Sequence, residues 1–161
     1  EQESPIWDEF PDAEAIAERA LQIAGLKLSD QFRDGAELSI LLSDDDHIRS
    51  VNQEWRGLDK PTNVLSFPAV ESNKIASAPF LGDIIIAYET VKREAISENK
   101  AFADHFTHLV IHGFLHLLGY DHLDDVDAEK MESLEIELLA ELNIPDPYRD
   151  GTLSNSTGDD S

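Results

Sequence analysis

Residues 101–122 read AFADHFTHLVIHGFLHLLGYDH, which is the most apolar helical segment of this sequence. Apolar residues recur through it at helical spacing. Gly119 is expected to end the helix, because glycine adopts a positive φ without steric cost. Five of the six histidines lie between residues 105 and 122. The segment therefore combines a predicted core helix with a concentration of side chains that can bind metal ions.

Three of these histidines have the spacing of a metal site. His112 and His116 are four residues apart, so their rings lie on one helical face a turn apart. The break at Gly119 allows the chain to turn back and bring His122 to the same ion. Three neutral imidazoles leave one position of a tetrahedral ion for water, which is typical of catalytic zinc. We predict one zinc ion per chain; chance spacing of core histidines is the alternative.

Three further residues are candidates for supporting this site. His108 lies one turn before His112, and either orients a metal-binding ring or is an ordinary buried polar residue. Asp121 either accepts an N–H from a ligating imidazole or caps the following turn. Asp83 interrupts an apolar segment, so we expect it to need a buried partner.

The histidine spacing also matches the H-E-x-x-H-x-x-G-x-x-H motif of metzincin peptidases. Gly113 stands where that motif has the glutamate that activates the zinc water. The only methionine, Met131, falls in a predicted helix and not in a turn. A metallopeptidase is therefore an alternative that has the metal ligands and lacks the base.

Around this helix the sequence predicts an α+β fold, with a small mixed β-sheet packed with about five helices and the zinc site on the most apolar helix. Pro68 suggests a sheet edge or a strand end. Residues 1–148 are expected to form one metal-dependent hydrolase domain, and the small, polar residues 149–161 a disordered tail. Strands are predicted at 37–43, 64–67 and 81–87, and helices at 12–24, from Asp44 to about Trp55, at 88–99, 101–118 and 125–142.

Composition bounds the possible functions. The 161 residues include 12 Lys and Arg against 34 Asp and Glu, which gives a net charge of −22. Such a charge opposes broad binding to nucleic acid or to an anionic membrane. The absence of cysteine excludes disulfides and thiolate metal sites, and no apolar run approaches the roughly 18 residues of a membrane span. We expect a cytoplasmic domain with no membrane partner.

The segment HGFLHLLGYDH at 112–122 resembles the signature of the YbeY family of bacterial metal-dependent endoribonucleases. Two more segments resemble that family in the same order, WRGLDKPTNVLSFP at 55–68 and LGDIIIA at 81–87. The resemblance covers most of the chain expected to fold, residues 37–142. It implies an α+β fold with the histidine helix beside a small sheet, and a strand upstream of the first helix, for which only residues 1–7 are available.

The resemblance also implies a function. It implies zinc-dependent cleavage of single-stranded RNA in 16S ribosomal RNA 3′-end maturation, ribosome biogenesis and quality control. Ribosomal RNA and the small ribosomal subunit are the implied partners, and DNA is not one. Carried over by position, His112, His116 and His122 are the zinc ligands and Arg56 is important for activity. A non-catalytic assembly factor with a structural metal is a second alternative.

Arg56 lies in a glycine-containing turn, from which a side chain can reach a cleft. A guanidinium can hold two phosphate oxygens in a bidentate fork; a surface salt bridge with Asp59 is the alternative. Ser66, with Thr62 and Asn63, either contacts phosphate or builds the turn. The attacking nucleophile can be water or the neighbouring 2′-OH of RNA. Three aromatic residues are expected in the core rather than as base-stacking surfaces: Trp55, Phe67 and Phe114.

The acidic charge is unevenly distributed. Residues 121–161 hold 13 acidic and 2 basic residues, whereas residues 47–74 hold 4 basic and 3 acidic ones, for a net charge of +1. The segment that carries Arg56 is therefore not acidic. We expect weak affinity for free RNA, with specificity supplied by a docked partner such as the ribosome.

Overall fold

A computed structural model describes residues 4–121 and 124–148, and five α-helices and three β-strands lie within them. This confirms the predicted α+β class. No helix in the described ranges is long and apolar enough to cross a membrane. The tail predicted at 149–161 lies outside the described residues. In chain order the elements are α1 (Ala13–Lys27), β1 (Glu37–Ser43), α2 (Asp45–Arg56), β2 (Val64–Pro68), β3 (Phe80–Ala87), α3 (Tyr88–Ser97), α4 (Phe102–Leu117) and α5 (Asp125–Glu141).

The three strands form one mixed sheet in the order β1-β3-β2. β1 runs parallel to β3, and β2 runs antiparallel to it. β3 is therefore central, which agrees with its apolar sequence, and β2 is an edge strand that ends at Pro68 as predicted. Ser66 lies opposite Ile84, and Phe67 lies opposite Asp83.

The two faces of the sheet are covered by different helices. Ile84 and Ile86 belong to the main core, together with residues of α1 and α4. Leu65 and Ile85 point to the other face, because side chains alternate along a strand. There they pack against Ile48 of α2 in a second, smaller core. The sheet thus separates α4 from α2.

Helix α4 is the centre of the main core, since every residue from His105 to Leu117 is buried. It ends where predicted, with Gly119 at a φ of 99°. Helix α2 begins as the sequence predicts, because the Asp44 carboxylate accepts the backbone N–H of His47 at 2.9 Å. Its end is set by Gly57, whose φ of 71° lies in the left-handed region.

The segment before α1 is a short 3₁₀ helix, Pro5–Glu9. The buried indole of Trp7 donates to the Ser43 carbonyl at 2.7 Å, which fastens this segment to the end of β1. Ser4 N–H donates to the carbonyl of Leu42 at 3.4 Å. The described residues upstream of α1 therefore contact β1 without forming the strand that the family resemblance implies.

Candidate metal centre

Four histidines form a stripe along one face of α4. His105, His108, His112 and His116 follow one another at spacings of three and four residues, and all four are buried. A buried polar group is costly without a partner, so each ring needs a donor or acceptor from a neighbouring element. His105 finds one in Glu94 of α3, with its Nε2 at 2.8 Å from the carboxylate.

The rings of His112 and His116 converge on one point. Their Nε2 atoms lie 3.1 Å apart, and the ring centroids are separated by 4.6 Å. Two nitrogens bound to one tetrahedral zinc at about 2.05 Å would lie roughly 3.3 Å apart. The observed separation therefore fits a pair of ligands to one ion.

Glu135 of α5 fixes the orientation of His112. Its Oε2 accepts the Nδ1–H of His112 at 2.6 Å. That hydrogen bond places the proton on Nδ1 and leaves the lone pair on Nε2, facing His116. A carboxylate behind a ligating imidazole is a recurrent feature of metal sites, because it sets both the tautomer and the ring orientation.

The second oxygen of Glu135 is also occupied. Oε1 accepts the Nε2–H of His108 at 2.8 Å and a very short hydrogen bond from the hydroxyl of Tyr148. The same hydroxyl lies 3.2 Å from His108 Nε2. Through these three hydrogen bonds, Glu135 links α5 to α4 and to the segment that follows α5.

These contacts keep Glu135 ionised although it is completely buried. Burial raises the pKa of its carboxyl, but the electrostatic interactions with His112 and His108 and the hydrogen bonds that these rings donate outweigh burial, so the pKa lies below its ordinary value. Burial also lowers the pKa of His108, which favours the neutral ring. Burial and then the Glu135 charge raise the pKa of Tyr148, which keeps its hydroxyl protonated as a donor.

His108, His112 and Glu135 together form a group that could bind a metal ion, since their ligand atoms lie within 4.8 Å of one another. Both Glu135 oxygens already accept hydrogen bonds, however, which favours an arrangement in which Glu135 orients His112 and does not bind the ion itself. In that arrangement His112 presents Nδ1 to Glu135 and Nε2 to the side of His116.

The third predicted ligand, His122, lies outside the described residues. Asp121 is half-buried just after the turn at Gly119. The His108 ring meets the His112 ring edge to face, with centroids 6.2 Å apart, and both rings bond to Glu135, which agrees with an orienting position. The roles of these three residues stay predictions.

Gly113 is a point of close packing between α4 and the sheet. A Cβ at this position would lie 3.0 Å from Cγ2 of Ile84 and 3.2 Å from Oγ of Ser66. The residue that stands where peptidases have their base therefore faces the sheet, where a side chain would press on Ile84 and Ser66. This packing disfavours the metallopeptidase alternative.

Replacing Gly113 with glutamate restores the peptidase motif in sequence, and we expect it to destabilise the fold. The free energy of unfolding should fall by at least about 2 kcal/mol, because overpacking and a buried carboxylate both oppose folding. Urea denaturation should give a lower midpoint for Gly113→Glu than for the parent and for Gly113→Ala. Unchanged stability of Gly113→Glu together with peptide hydrolysis would revive the peptidase.

Arg56 is the last residue of α2 and is exposed. Asp59, the salt-bridge partner considered for it, is instead held by Arg49, whose Nε and Nη2 donate to the two carboxylate oxygens at 2.8 and 3.3 Å. Asp59 is therefore paired with Arg49.

Of the other polar candidates, Ser66 contacts the histidine helix directly. Its hydroxyl lies 3.5 Å from the carbonyl of Gly113, between His112 and His116 in the chain. Asn63 is buried and donates to Glu94 at 2.9 Å, which agrees with a turn-building role. The expectation that Asp83 needs a buried partner is wrong, because this side chain is exposed on the sheet face opposite α4.

The prediction of three core aromatic residues is only partly right. Phe114 is buried in the main core. Phe67 is half-buried, and Trp55 is 67% exposed. The helical stripe of Ile48 and Asn52 continues to Trp55, but at the end of α2 little of the sheet remains to cover it.

Two residues of the site were missed in the sequence. The sequence contains one indication that Glu135 is buried, since it falls on the apolar stripe of α5 formed by Met131, Leu138 and Leu139. A glutamate at a core position requires buried donors. Tyr148 carried no comparable signal, because it follows the last helix in a segment rich in proline.

Comparisons with known proteins point to one family. The family model described as Endoribonuclease YbeY matches residues 3–143. A protein of Bradyrhizobium diazoefficiens named Endoribonuclease YbeY is 53% identical over 148 residues, covering 89% of this chain and 80% of the relative. One of the same name from Methylocella silvestris is 49% identical over 160 residues, covering 97% and 88%.

A solved structure supports the fold. The solution structure of a Thermotoga maritima protein is 28% identical and superposes with a TM-score of 0.57, covering 92% of this chain and 88% of the other. The matched family model and the relatives extend over nearly all of the described residues, including α4 and the Glu135 that supports its histidines. The chain belongs to the endoribonuclease YbeY family.

Proposed function

We propose that this protein is a zinc-dependent endoribonuclease that cleaves single-stranded RNA. The observation that carries the proposal is the convergence of His112 Nε2 and His116 Nε2 at 3.1 Å, with the His112 tautomer set by Glu135. The names of the relatives, Endoribonuclease YbeY, supply the reaction class. Neither of the alternatives, a peptidase or a non-catalytic assembly factor, has a comparable observation in its favour.

Zinc fits the donor set. His112 and His116 offer neutral nitrogen ligands, and His122 is proposed as the third from its spacing after Gly119. When bound, a zinc ion supplies Lewis acidity toward a phosphoryl oxygen and lowers the pKa of a coordinated water towards about 7. The chain itself fixes the orientation of the His112 ring, because Glu135 accepts its hydrogen bond.

We assign to Arg56 the binding of the RNA phosphate that is cleaved. Phosphodiester cleavage passes through a five-coordinate phosphorus on which negative charge increases, and a guanidinium can hold two of its oxygens at once. The exposed position of Arg56 at the end of α2 leaves it accessible to a polymer. The Ser66 hydroxyl, beside the histidine turns of α4, is a second candidate contact.

The proposed substrate is ribosomal RNA, at the 3′ end of 16S in the small ribosomal subunit within the cytoplasm. The family resemblance and the charge distribution support this. A net charge of −22 opposes tight binding to free RNA or DNA, whereas a docked subunit would present one RNA strand to the site. A tight, sequence-independent RNA complex at physiological salt would contradict the proposal.

The direct test combines metal analysis with an RNA cleavage assay. We expect about one zinc per chain from its ligand set, cleavage of a single-stranded RNA, and little cleavage of the same sequence in a duplex. Removal of the metal with a chelator should abolish cleavage, and added zinc should restore it. Full cleavage after verified metal removal would overturn the proposal.

Replacing Glu135 with glutamine tests the support of His112. We expect zinc affinity to fall ten- to a hundredfold, because an amide has only one acceptor oxygen for the donors that the two carboxylate oxygens now accept. Competition with a chelator of known affinity measures the loss. Glu137→Gln, on the same helix and 52% exposed beside Lys27, is the matched control and should bind zinc like the parent. Equal affinity of both variants would show that Glu135 does not support a metal ligand.

A further inference from the structure

Trp55 is unusual because a large aromatic residue lies exposed at the end of a helix. It is 67% exposed, whereas the other tryptophan, Trp7, is completely buried. Large exposed aromatics in soluble proteins are uncommon, and contiguous exposed apolar surface often marks a contact region.

Trp55 does not stand alone. Its ring meets that of Phe67 edge to face, with centroids 6.1 Å apart and an interplanar angle of 60°. Phe67 is half-buried, so it holds one side of the indole while the rest stays accessible. We call this pair the Trp55–Phe67 surface. It provides a supported, flat aromatic face of the kind that stacks on nucleobases.

The surface is separated from the histidine helix by one strand, β2. Phe67 follows Ser66 on β2, and Ser66 contacts the Gly113 carbonyl of α4. The two side chains point to opposite faces of β2, which is an edge strand of the sheet. An extended polymer lying over this edge would reach the aromatic surface on one side and α4 on the other.

The charges around the surface are of both signs. Arg56 is the next residue after Trp55, and the segment 47–74 is slightly positive within a chain of net charge −22. The nearby Asp59 carboxylate is paired with Arg49. Asp83, opposite Phe67 on β3, is exposed and would repel phosphate there. The phosphates of a bound strand are therefore expected on the Arg56 side and a base on the indole.

We propose that Trp55, supported by Phe67, stacks on a nucleobase of the single-stranded RNA whose phosphate Arg56 holds. This rests on the proposed function and extends it to how the enzyme selects single strands. Bases within a duplex are paired and stacked on each other, so they cannot lie on the indole. Stacking is tolerant of sequence, because every base has a π-face.

The chain contains its own reporter for this contact. With Trp7 buried, changes in tryptophan emission on adding RNA report mainly on Trp55. A 2′-O-methylated oligonucleotide, in which the 2′-OH is blocked, should quench this emission. An abasic oligonucleotide of the same length, with the same phosphates and no bases, should bind more weakly and quench little. Equal binding and quenching by both would overturn the proposal.

Kinetics of three variants complete the test. Trp55→Ala should raise the KM for single-stranded RNA about tenfold and leave kcat within about twofold, since stacking positions the strand without touching the reacting phosphate. Trp55→Phe should stay close to the parent. Leu26→Ala removes another exposed apolar side chain, on α1, and should change neither constant.

An unchanged KM for Trp55→Ala would overturn the stacking proposal while leaving RNA cleavage intact. A defect of Trp55→Ala seen only with assembled ribosomal subunits, and not with free RNA, would assign the surface to a protein partner and also overturn it. Failure of the proposed function is distinct, because the parent protein would then cleave no RNA.

Discussion

Replacing His116 with alanine is expected to remove bound zinc and to lower RNA cleavage at least about a thousandfold, or about 4 kcal/mol in barrier height. His116 supplies one of the two nitrogens that converge at 3.1 Å, and His112 alone on α4 cannot define the position of an ion. Metal content after exhaustive dialysis and single-turnover cleavage of a labelled RNA measure the two effects.

The control for His116→Ala is His47→Ala. His47 lies on α2, half-buried, with its Nδ1 3.0 Å from the Ser43 hydroxyl, outside the histidine stripe. It should retain zinc and cleavage. Alanine is a good helix former, so α4 should persist in His116→Ala, and circular dichroism can verify this. A folded His116→Ala protein that keeps its zinc and cleaves at the parent rate would exclude this metal site.

The parts of the fold that could be predicted are those set by local chemistry. The apolar periodicity of α4 and the glycine that ends it are properties of neighbouring residues, and both agree with the structure. The same holds for the Asp44 cap of α2 and for Pro68 at the end of an edge strand. The spacing of His112 and His116 likewise places both rings on one face of the helix, whatever the rest of the fold.

The supporting residues of the site depend on long-range packing. Glu135 lies 23 residues after His112, and Tyr148 lies 40 residues after His108. Helix α5 carries several glutamates, and only the angle at which it packs on α4 selects the one that faces the histidines. No local pattern encodes that angle.

The errors at Trp55 and Asp83 have one physical cause. Trp55 continues the apolar stripe of α2 and Asp83 interrupts the apolar strand β3, and both lie where the sheet and its covering helix end. Helix α2 covers Ile85 but not Asp83 two residues earlier in β3. Periodicity predicts which face a residue lies on, whereas its burial depends on how far the neighbouring layer extends.

Replacing Arg56 with alanine is expected to retain zinc and to lower cleavage about a hundred- to a thousandfold, or about 3–4 kcal/mol in barrier height. The loss should fall mainly on kcat, because the guanidinium meets the phosphate most strongly when negative charge has increased on its oxygens. Arg56→Lys keeps the charge and loses the bidentate fork, so its rate should lie between those of alanine and the parent. Single-turnover rates with equal metal loading measure these differences.

The matched control is Arg93→Ala, which removes the same charge from α3, where Arg93 contacts the first residue of α2. Arg93 is 62% exposed and donates to Asp45 at 2.9 Å, and Asp45 keeps its bond from Thr90 without it, so its loss should cost little stability. If charge alone attracted RNA, the two alanine variants would lose activity equally and recover equally at low salt. We expect only Arg56→Ala to be impaired, and its defect to persist at saturating RNA, because a group that holds the reacting phosphate cannot be replaced by a higher substrate concentration. A parent-like rate for Arg56→Ala would show that this arginine takes no part in the reaction, and that the histidine site performs the cleavage without it.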